Sequence, residues 1–447
     1  MSFIMKKSAY RVKHSTHTKN YISFIFVLWY NTNRNVGVKM KFQEITEKEY
    51  RKFWENHPLK TFLSAPEISK LREKSGWITY FVGVKKEKNI VAATMLLAHK
   101  RHFGKYEFYS PRGYLLDFKD EELVDFFTKE LKKYIKDKKG YVLRIDPYVI
   151  KQQRDIDGNI VDGGEDNTSV IKQLESLGFK RVKEENMEQV GWMFSLDLEG
   201  KTEAQILKEM KPNTRNTIRK AEKFGITVNE ISYDELDRFE NIMIETGERK
   251  GFSVRKLSYF QEMYKLFHDN NEVKYFITEL DLKAYIKRLE KEKAEKEEKL
   301  NALSDAKYND GQKKNLNNEI TSIDKRIKES NEIIKESGKD VITLSGSMFM
   351  LIEPEIIYLS SGNYEEYMKF NSQYLIQWEL IKYGIENGFK KHNFYGIPAN
   401  INEHPKDYGI YEFKRGFNGY VEELIGEYSL PITWHYSLFK LIHKIKK

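Results

Sequence analysis

The alternation of polar and apolar positions changes period several times along the chain, and those changes divide it. From residue 40, strand-like runs fall at 41–45, 78–84, 90–97, 106–109 and 141–145. Thr46 with Glu49 three residues later forms a capping box at a helix start. Residues 120–136 place apolar side chains on one helical face. Mixed strands with helices between them predict an α/β unit over 40–190. A similar order restarts with a strand at 191–198, a helix at 204–224, a strand at 226–228 and a helix at 233–250. Strand-like runs return at 341–345, 349–352 and 356–360, so a second unit of related plan is predicted over 191–281 and 338–430.

The interruption at 282–337 has a different period. Leu282, Ile286, Leu289, Lys293, Lys296, Leu300 and Leu303 follow four-three spacing, with two lysines in the seam. After Asp310-Gly311 the spacing resumes at Leu316, Ile320, Ile323, Ile327, Ser330 and Ile334. Two heptad segments around one Asp-Gly turn predict an antiparallel helical hairpin whose seam is buried within itself. Its Lys, Glu and Asn faces suit either a solvated spacer or a contact surface.

The two ends differ from the middle. Residues 1–39 are basic and carry one apolar run at 21–30, short of the ~20 residues needed to span a bilayer. Polar Asn31-Thr32-Asn33-Arg34-Asn35 follows where a signal peptide would have a small-residue cleavage site. The expectation is a start at Met40, with 1–39 an extension outside the fold; a membrane-surface anchor is the alternative. In 431–447, Leu438, Leu441, Ile442 and Ile445 share one helical face, and Lys440, Lys444 and Lys447 gather on another. A basic amphipathic helix suits a lipid interface or a dock on the second unit.

Composition narrows the chemistry. At 447 residues the chain exceeds one ordinary core. The absence of cysteine excludes disulfides, thiolate metal sites and a cysteine nucleophile, and fits the cytosol. A formal charge of +9 implies polyanionic partners. Ten scattered histidines give no metal-ligand spacing, and no Gly-rich phosphate loop is present, so neither a metal nor a nucleotide cofactor is expected.

The most distinctive stretch is Gly409-Ile410-Tyr411-Glu412-Phe413-Lys414-Arg415-Gly416-Phe417, preceded by Asn393-Phe394-Tyr395-Gly396-Ile397. Rigid rings surround one Phe-Lys pair, which fixes a cation among them; a strand-turn-strand corner has the same composition. Other segments accompany it in order. They are Phe62-Leu63-Ser64-Ala65-Pro66-Glu67 through Gly76-Trp77, and Tyr109-Ser110-Pro111-Arg112-Gly113 with Asp117. They continue with 211–228 carrying Arg215, Arg219 and Ala221, then Gly251-Phe252-Ser253-Val254-Arg255 followed by Tyr259, and Gln377-Trp378. From residue 40 to the end, this set resembles the Fem family of peptidoglycan-bridge aminoacyltransferases. Ser64 and Ile68 stand where that family usually has Gln and Trp, Arg72 replaces a phosphate-contacting lysine, and Tyr114 replaces a proline.

The resemblance implies an α/β (α+β) fold of two tandem acetyltransferase-like (GNAT-like) units with an inserted antiparallel coiled-coil hairpin. It also implies transfer of an amino acid from aminoacyl-tRNA to the stem-peptide amine of a precursor, lipid II or UDP-linked muramyl pentapeptide, without a cofactor. The enzyme would be cytoplasmic, with possible peripheral contact at the inner membrane leaflet. In the matching positions, Lys414 with Phe413 would meet the acyl carbonyl and, with Arg415, the tRNA terminus. Arg72 and Arg255 would hold the precursor diphosphate beside Tyr259. Tyr141, Asp146 and Tyr358 would line the cleft, Asp146 orienting the amine or accepting its proton. Read by themselves, Arg255 and Tyr259 could equally be a structural pair on one helical turn, and Asp146 a turn former before Pro147. Two rivals are an acyl-CoA-dependent N-acyltransferase and a non-enzymatic nucleic-acid-binding protein using the basic helix at 211–223.

Overall fold

The computed structural model describes residues 39–304, 309–399 and 408–445. Residues 1–38, on which the N-terminal expectation rests, lie outside them, as do the side chains of Lys444, Ile445 and Lys447. The first stretch of chain forms β1 (Met40–Glu44), α1 (Glu47–Glu55), α2 (Pro66–Glu73), β2 (Ile78–Lys86), β3 (Asn89–Lys100), β4 (Tyr106–Ser110) and α3 (Glu121–Asp137). It continues through β5 (Gly140–Ile145), β6 (Ile150–Gln153), α4 (Thr168–Ser176) and β7 (Lys180–Arg181). The Thr46–Glu49 capping box is formed as expected, with each side chain bonding the other's backbone N–H.

The second stretch forms β8 (Trp192–Asp197), α5 (Glu203–Glu209), α6 (Pro212–Phe224), β9 (Thr227–Glu230), α7 (Leu236–Lys250), α8 (Leu257–Phe267) and β10 (Val273–Asp281). The single helix predicted over 204–224 is thus two, because Pro212 lacks the N–H a continuing helix needs and opens α6 at its first turn. After the hairpin helices α9 (Leu282–Asn301) and α10 (Asp310–Ser337) come β11 (Val341–Ile352), β12 (Glu355–Asn363), α11 (Ser372–Glu386) and β13 (Lys391–Gly396). The chain closes with α12 (Tyr408–Arg415), β14 (Tyr420–Leu424), β15 (Tyr428–Pro431) and α13 (His435–Ile445). The runs at 341–345 and 349–352 are one continuous strand, and the Phe413–Lys414 stretch is helical.

Two mixed sheets result, ordered β1-β2-β3-β4-β5-β15-β7 and β6-β14-β8-β13-β12-β11-β10-β9. They do not divide where the sequence pattern changes. β15 crosses back and lies between β5 and β7, with Tyr428 opposite both Ile145 and Arg181. In exchange, β6 leaves the first stretch and pairs with β14, Gln153 opposite Glu422. One apolar core is shared, joining Ala93, Met95 and Leu97 of β3 with Tyr275 and Ile277 of β10 and with Met348 and Met350 of β11. Trp77, Tyr259 and Tyr395 pack against this shared core.

The hairpin runs antiparallel. Lys293 pairs with Asp324 at 2.6 Å and Lys296 with Glu319 at 2.5 Å, so the seam lysines reach carboxylates on the facing helix. Asp310 and Gly311 are not the turn but the first residues of α10, where a carboxylate suits the positive end of the helix dipole. Nor is the seam buried only within the hairpin. Leu282, Tyr285, Leu289 and Ile323 join the core of the second sheet, where Tyr285 meets the rings of Phe224 and Phe370.

At the C-terminus, Phe439 of α13 is buried against Tyr141 and Val142. The helix therefore docks on the first sheet, not on the second unit as the docking alternative had it. Among the described residues no helix is long and apolar enough to cross a membrane.

Candidate active site

β13 ends in a bend that sets up the site. Tyr395 adopts a left-handed backbone (φ 62°), and its N–H donates to Asn393 Oδ1 at 2.8 Å. The bend turns the carbonyls of Tyr395 and Gly396 toward α12, where Lys414 Nζ donates to them at 3.2 and 2.5 Å. Lys414 is in the last turn of α12 and only 5% exposed. Among the described residues it has no carboxylate partner, and burial draws its amine down from 10.5 to about 7. Phe413 packs edge-on to Tyr374 at 4.7 Å and to Phe417 at 5.6 Å, which fixes the helix turn that carries the amine.

Asp146 follows the end of β5 and is buried. Its Oδ1 accepts from the Arg112 backbone N–H at 2.8 Å, and the Arg112 guanidinium lies 3.5 Å from Oδ2. Both side chains are almost wholly buried. Burial raises the Asp146 carboxyl against the pull of Arg112. The carboxylate thus holds the Arg112 backbone through Oδ1 and faces its guanidinium through Oδ2. Arg112 also donates to Val190 O at 3.0 Å, covers the Tyr148 ring at 5.6 Å and interacts electrostatically with Tyr395.

A third group binds the anion-binding candidates to the same place. The Arg255 guanidinium covers the Tyr259 ring at 5.3 Å and Arg72 covers Trp77 at 5.8 Å. Burial raises the Tyr259 hydroxyl; Arg255 and Arg72 lower it, and Tyr395 raises it further. Tyr259 and Tyr395 pack against the same core, with Arg255 on the Tyr259 ring. Neither arginine has an ion pair among the described residues, which leaves two guanidiniums for an external anion.

Three expected residues lie elsewhere or are otherwise engaged. Tyr141 starts β5, at the end away from Asp146, with its ring 4.7 Å from Phe439. The Tyr358 hydroxyl is bonded to Ser361 and Gln373 and pushed up to about 12 by burial. Arg415 pairs with Asp157 and, at 3.1 Å, with Glu412.

The sequence reading missed a polar network behind the cleft. Tyr148 donates to Glu355 at 2.9 Å, and Lys391 bridges Glu355 (2.6 Å) and Glu422 (2.9 Å). Glu422 also accepts from Ser195 at 2.6 Å, and Asn393 donates to Tyr148 at 3.2 Å. Burial opposes the charge of Lys391, yet Tyr148, Glu422 and Glu355 hold it well above the ordinary lysine value. Asn393 joins this network to the bend under Lys414.

The model of the FemAB family matches residues 45–444, and the chain belongs to the FemAB family. Aminoacyltransferase FemB of Staphylococcus epidermidis is 33% identical over 417 residues, covering 91% of this chain and 99% of that protein. Aminoacyltransferase FemA of Staphylococcus aureus is 30% identical over 420 residues, with the same coverage. Among solved structures, FemX superposes with a TM-score of 0.69 at 24% identity, over 90% of this chain and 99% of that one. The family resemblance read from the sequence is borne out.

Proposed function

We propose that this chain moves an amino acid from aminoacyl-tRNA to the stem-peptide amine of a peptidoglycan precursor, lipid II by preference, at the cytoplasmic face of the membrane. The aminoacyltransferase class is that of its FemB and FemA relatives. The observation that carries the mechanism is Lys414, an amine buried on the carbonyls of Tyr395 and Gly396, while Arg72 and Arg255, which have no ion pair among the described residues, act on Tyr259, as does Tyr395 itself. The neutral precursor amine attacks the ester carbonyl, the N–C bond forms, and the carbonyl oxygen becomes an oxyanion. Protonated Lys414 stabilises that charge, an effect of about ten- to a thousandfold in rate. Collapse breaks the C–O bond, and the ribose oxygen leaves with the proton the amine gives up. An ester donor is already activated, so no covalent enzyme intermediate is needed. Arg72, Arg255 and Tyr259 grip the diphosphate of the acceptor, and Asp146 holds Arg112 at the cleft wall.

The deciding experiment incubates the purified full chain with charged tRNA and lipid II. The expected result is an acceptor heavier by one aminoacyl residue. Transfer from acyl-CoA but not from tRNA would overturn the reading, as would tRNA binding with no product.

A further inference from the structure

Two segments far apart in sequence meet at the end of the first sheet remote from Asp146, and both leave large apolar side chains in solvent. The turn after β3 places Phe103 at φ 56° and 73% exposed. Trp434, just ahead of α13, is 70% exposed, and Leu441 on that helix is 55% exposed. The rings form one line. Trp434 stacks on His435 at 4.0 Å, His435 meets Phe439 at 6.1 Å, and Phe439 stacks on Phe103 at 6.0 Å with an interplanar angle of 9°. Phe439 is itself buried on Tyr141. The strip is therefore mounted on a rigid sheet.

The two segments that form it carry side-chain charge of one sign. Residues 98–105 and 432–447 contain Lys100, Arg101, Lys105, Lys440, Lys444, Lys446 and Lys447, and neither Asp nor Glu. Arg101 is engaged by Glu107 at 2.8 Å, while Lys105 faces His435 and Lys440 lies 5.9 Å from the Tyr436 ring. Soluble surfaces seldom leave contiguous rings of this size open to water. Exposed aromatic and aliphatic groups among lysines, with no carboxylate in either segment, match the headgroup region of an anionic bilayer.

We propose that this face is a membrane-docking surface for anionic phospholipid, with Phe103, Trp434 and Leu441 entering the headgroup layer and Lys105 and Lys440 facing its phosphates. A protein partner would have to supply a strongly acidic apolar surface, for which nothing in the chain argues. The docking requires no acyl-transfer chemistry and goes beyond the site described above.

The test is co-sedimentation of the full chain with phosphatidylglycerol–phosphatidylcholine vesicles, against phosphatidylcholine alone, at low and high salt. Two variants are compared with the parent: Phe103→Ser/Trp434→Ser/Leu441→Ser and Lys105→Glu/Lys440→Glu. Phe103, Trp434, Lys440 and Leu441 are exposed and Lys105 is half-buried, and matched melting curves confirm that the variants fold. The expected result is salt-sensitive binding to the anionic vesicles only, weakened about tenfold or more in each variant. No binding by the parent, binding by the triple variant within twofold of the parent, or pelleting without vesicles through self-association would each overturn the proposal. The assay contains neither donor nor acceptor, so its failure leaves the transferase reading standing, and the converse holds.

Discussion

Replacing Lys414 by Met tests the energetics of the cleft and its chemistry at once. An amine lowered from 10.5 to about 7 by burial costs about 5 kcal/mol more to charge in place than in water. Between pH 7 and 10.5 the unfolded chain still holds the proton that the folded protein has released, so stability climbs by about 1.4 kcal/mol per pH unit. Below pH 7 both states hold it and the penalty is constant. Met removes the charge and keeps most of the volume, but deprives the carbonyls of Tyr395 and Gly396 of their donor, a loss of about 1–3 kcal/mol. The variant is therefore expected to be more stable than the parent by about 2–4 kcal/mol at pH 6–7, with that advantage gone near pH 10. Urea denaturation across this range reads the difference. Turnover should fall more than about tenfold while precursor affinity holds, because the charge is used in the transition state. The ratio of parent to Lys414→Arg turnover cancels the titration of the acceptor amine; it should decline as pH rises above about 7, since Arg stays charged. Met-variant turnover within twofold of the parent would refute the chemistry. A stability advantage that grew from pH 7 to 10 would refute the energetics.

Three further outcomes are expected. Asp146→Ala leaves the Arg112 charge buried without its partner and should cost about 3–5 kcal/mol in urea denaturation, with much of this recovered on adding Arg112→Met. Absence of recovery would mean the pair is not the cause. The double variant Arg72→Ser/Arg255→Ser should raise the acceptor KM about tenfold or more while leaving kcat near the parent's, as for loss of a ground-state phosphate grip; a loss confined to kcat would contradict it. Replacing 294–322 by a short Gly/Ser linker keeps Leu282, Tyr285, Leu289 and Ile323 in the core, so the protein should fold. Activity should then fall more with full aminoacyl-tRNA than with a minimal acceptor stem, and equal losses would make the hairpin a scaffold.

The helices of the first stretch were legible because each has one wet and one dry face, as on α3, whereas β3, buried on both faces, showed as a continuous apolar run. The Thr46–Glu49 box is a purely local device and was readable for that reason. By contrast α11 was not legible: Leu375, Ile376, Trp378, Leu380 and Ile381 are buried around it, which erases the amphipathic stripe. Lys414 stood out through its flanking rings, but the carbonyls it rests on come from a bend whose conformation the sequence does not display. Tyr141 and Asp146 misled because positions five apart along an extended chain point to opposite faces and lie about 17 Å apart. Tyr148, Ser195, Glu355, Lys391 and Glu422 come singly from distant segments, so no spacing announces the network they form. The hairpin's period was visible, whereas its turn was misread because Asp-Gly also suits the first turn of a helix.

The crossing of β15 into the first sheet has a temporal meaning. β5 is made roughly 280 residues before β15, which at about 5–20 residues per second is about 15 s to a minute of synthesis. Throughout that interval the edge of β5 that later accepts Leu430 and Tyr428 has no partner from its own sheet. The N-terminal half of the nascent chain must wait for the last strand. A ribosome stalled before codon 428 holds an open strand edge, a target for chaperones and proteases, while release of the finished chain closes both sheets together.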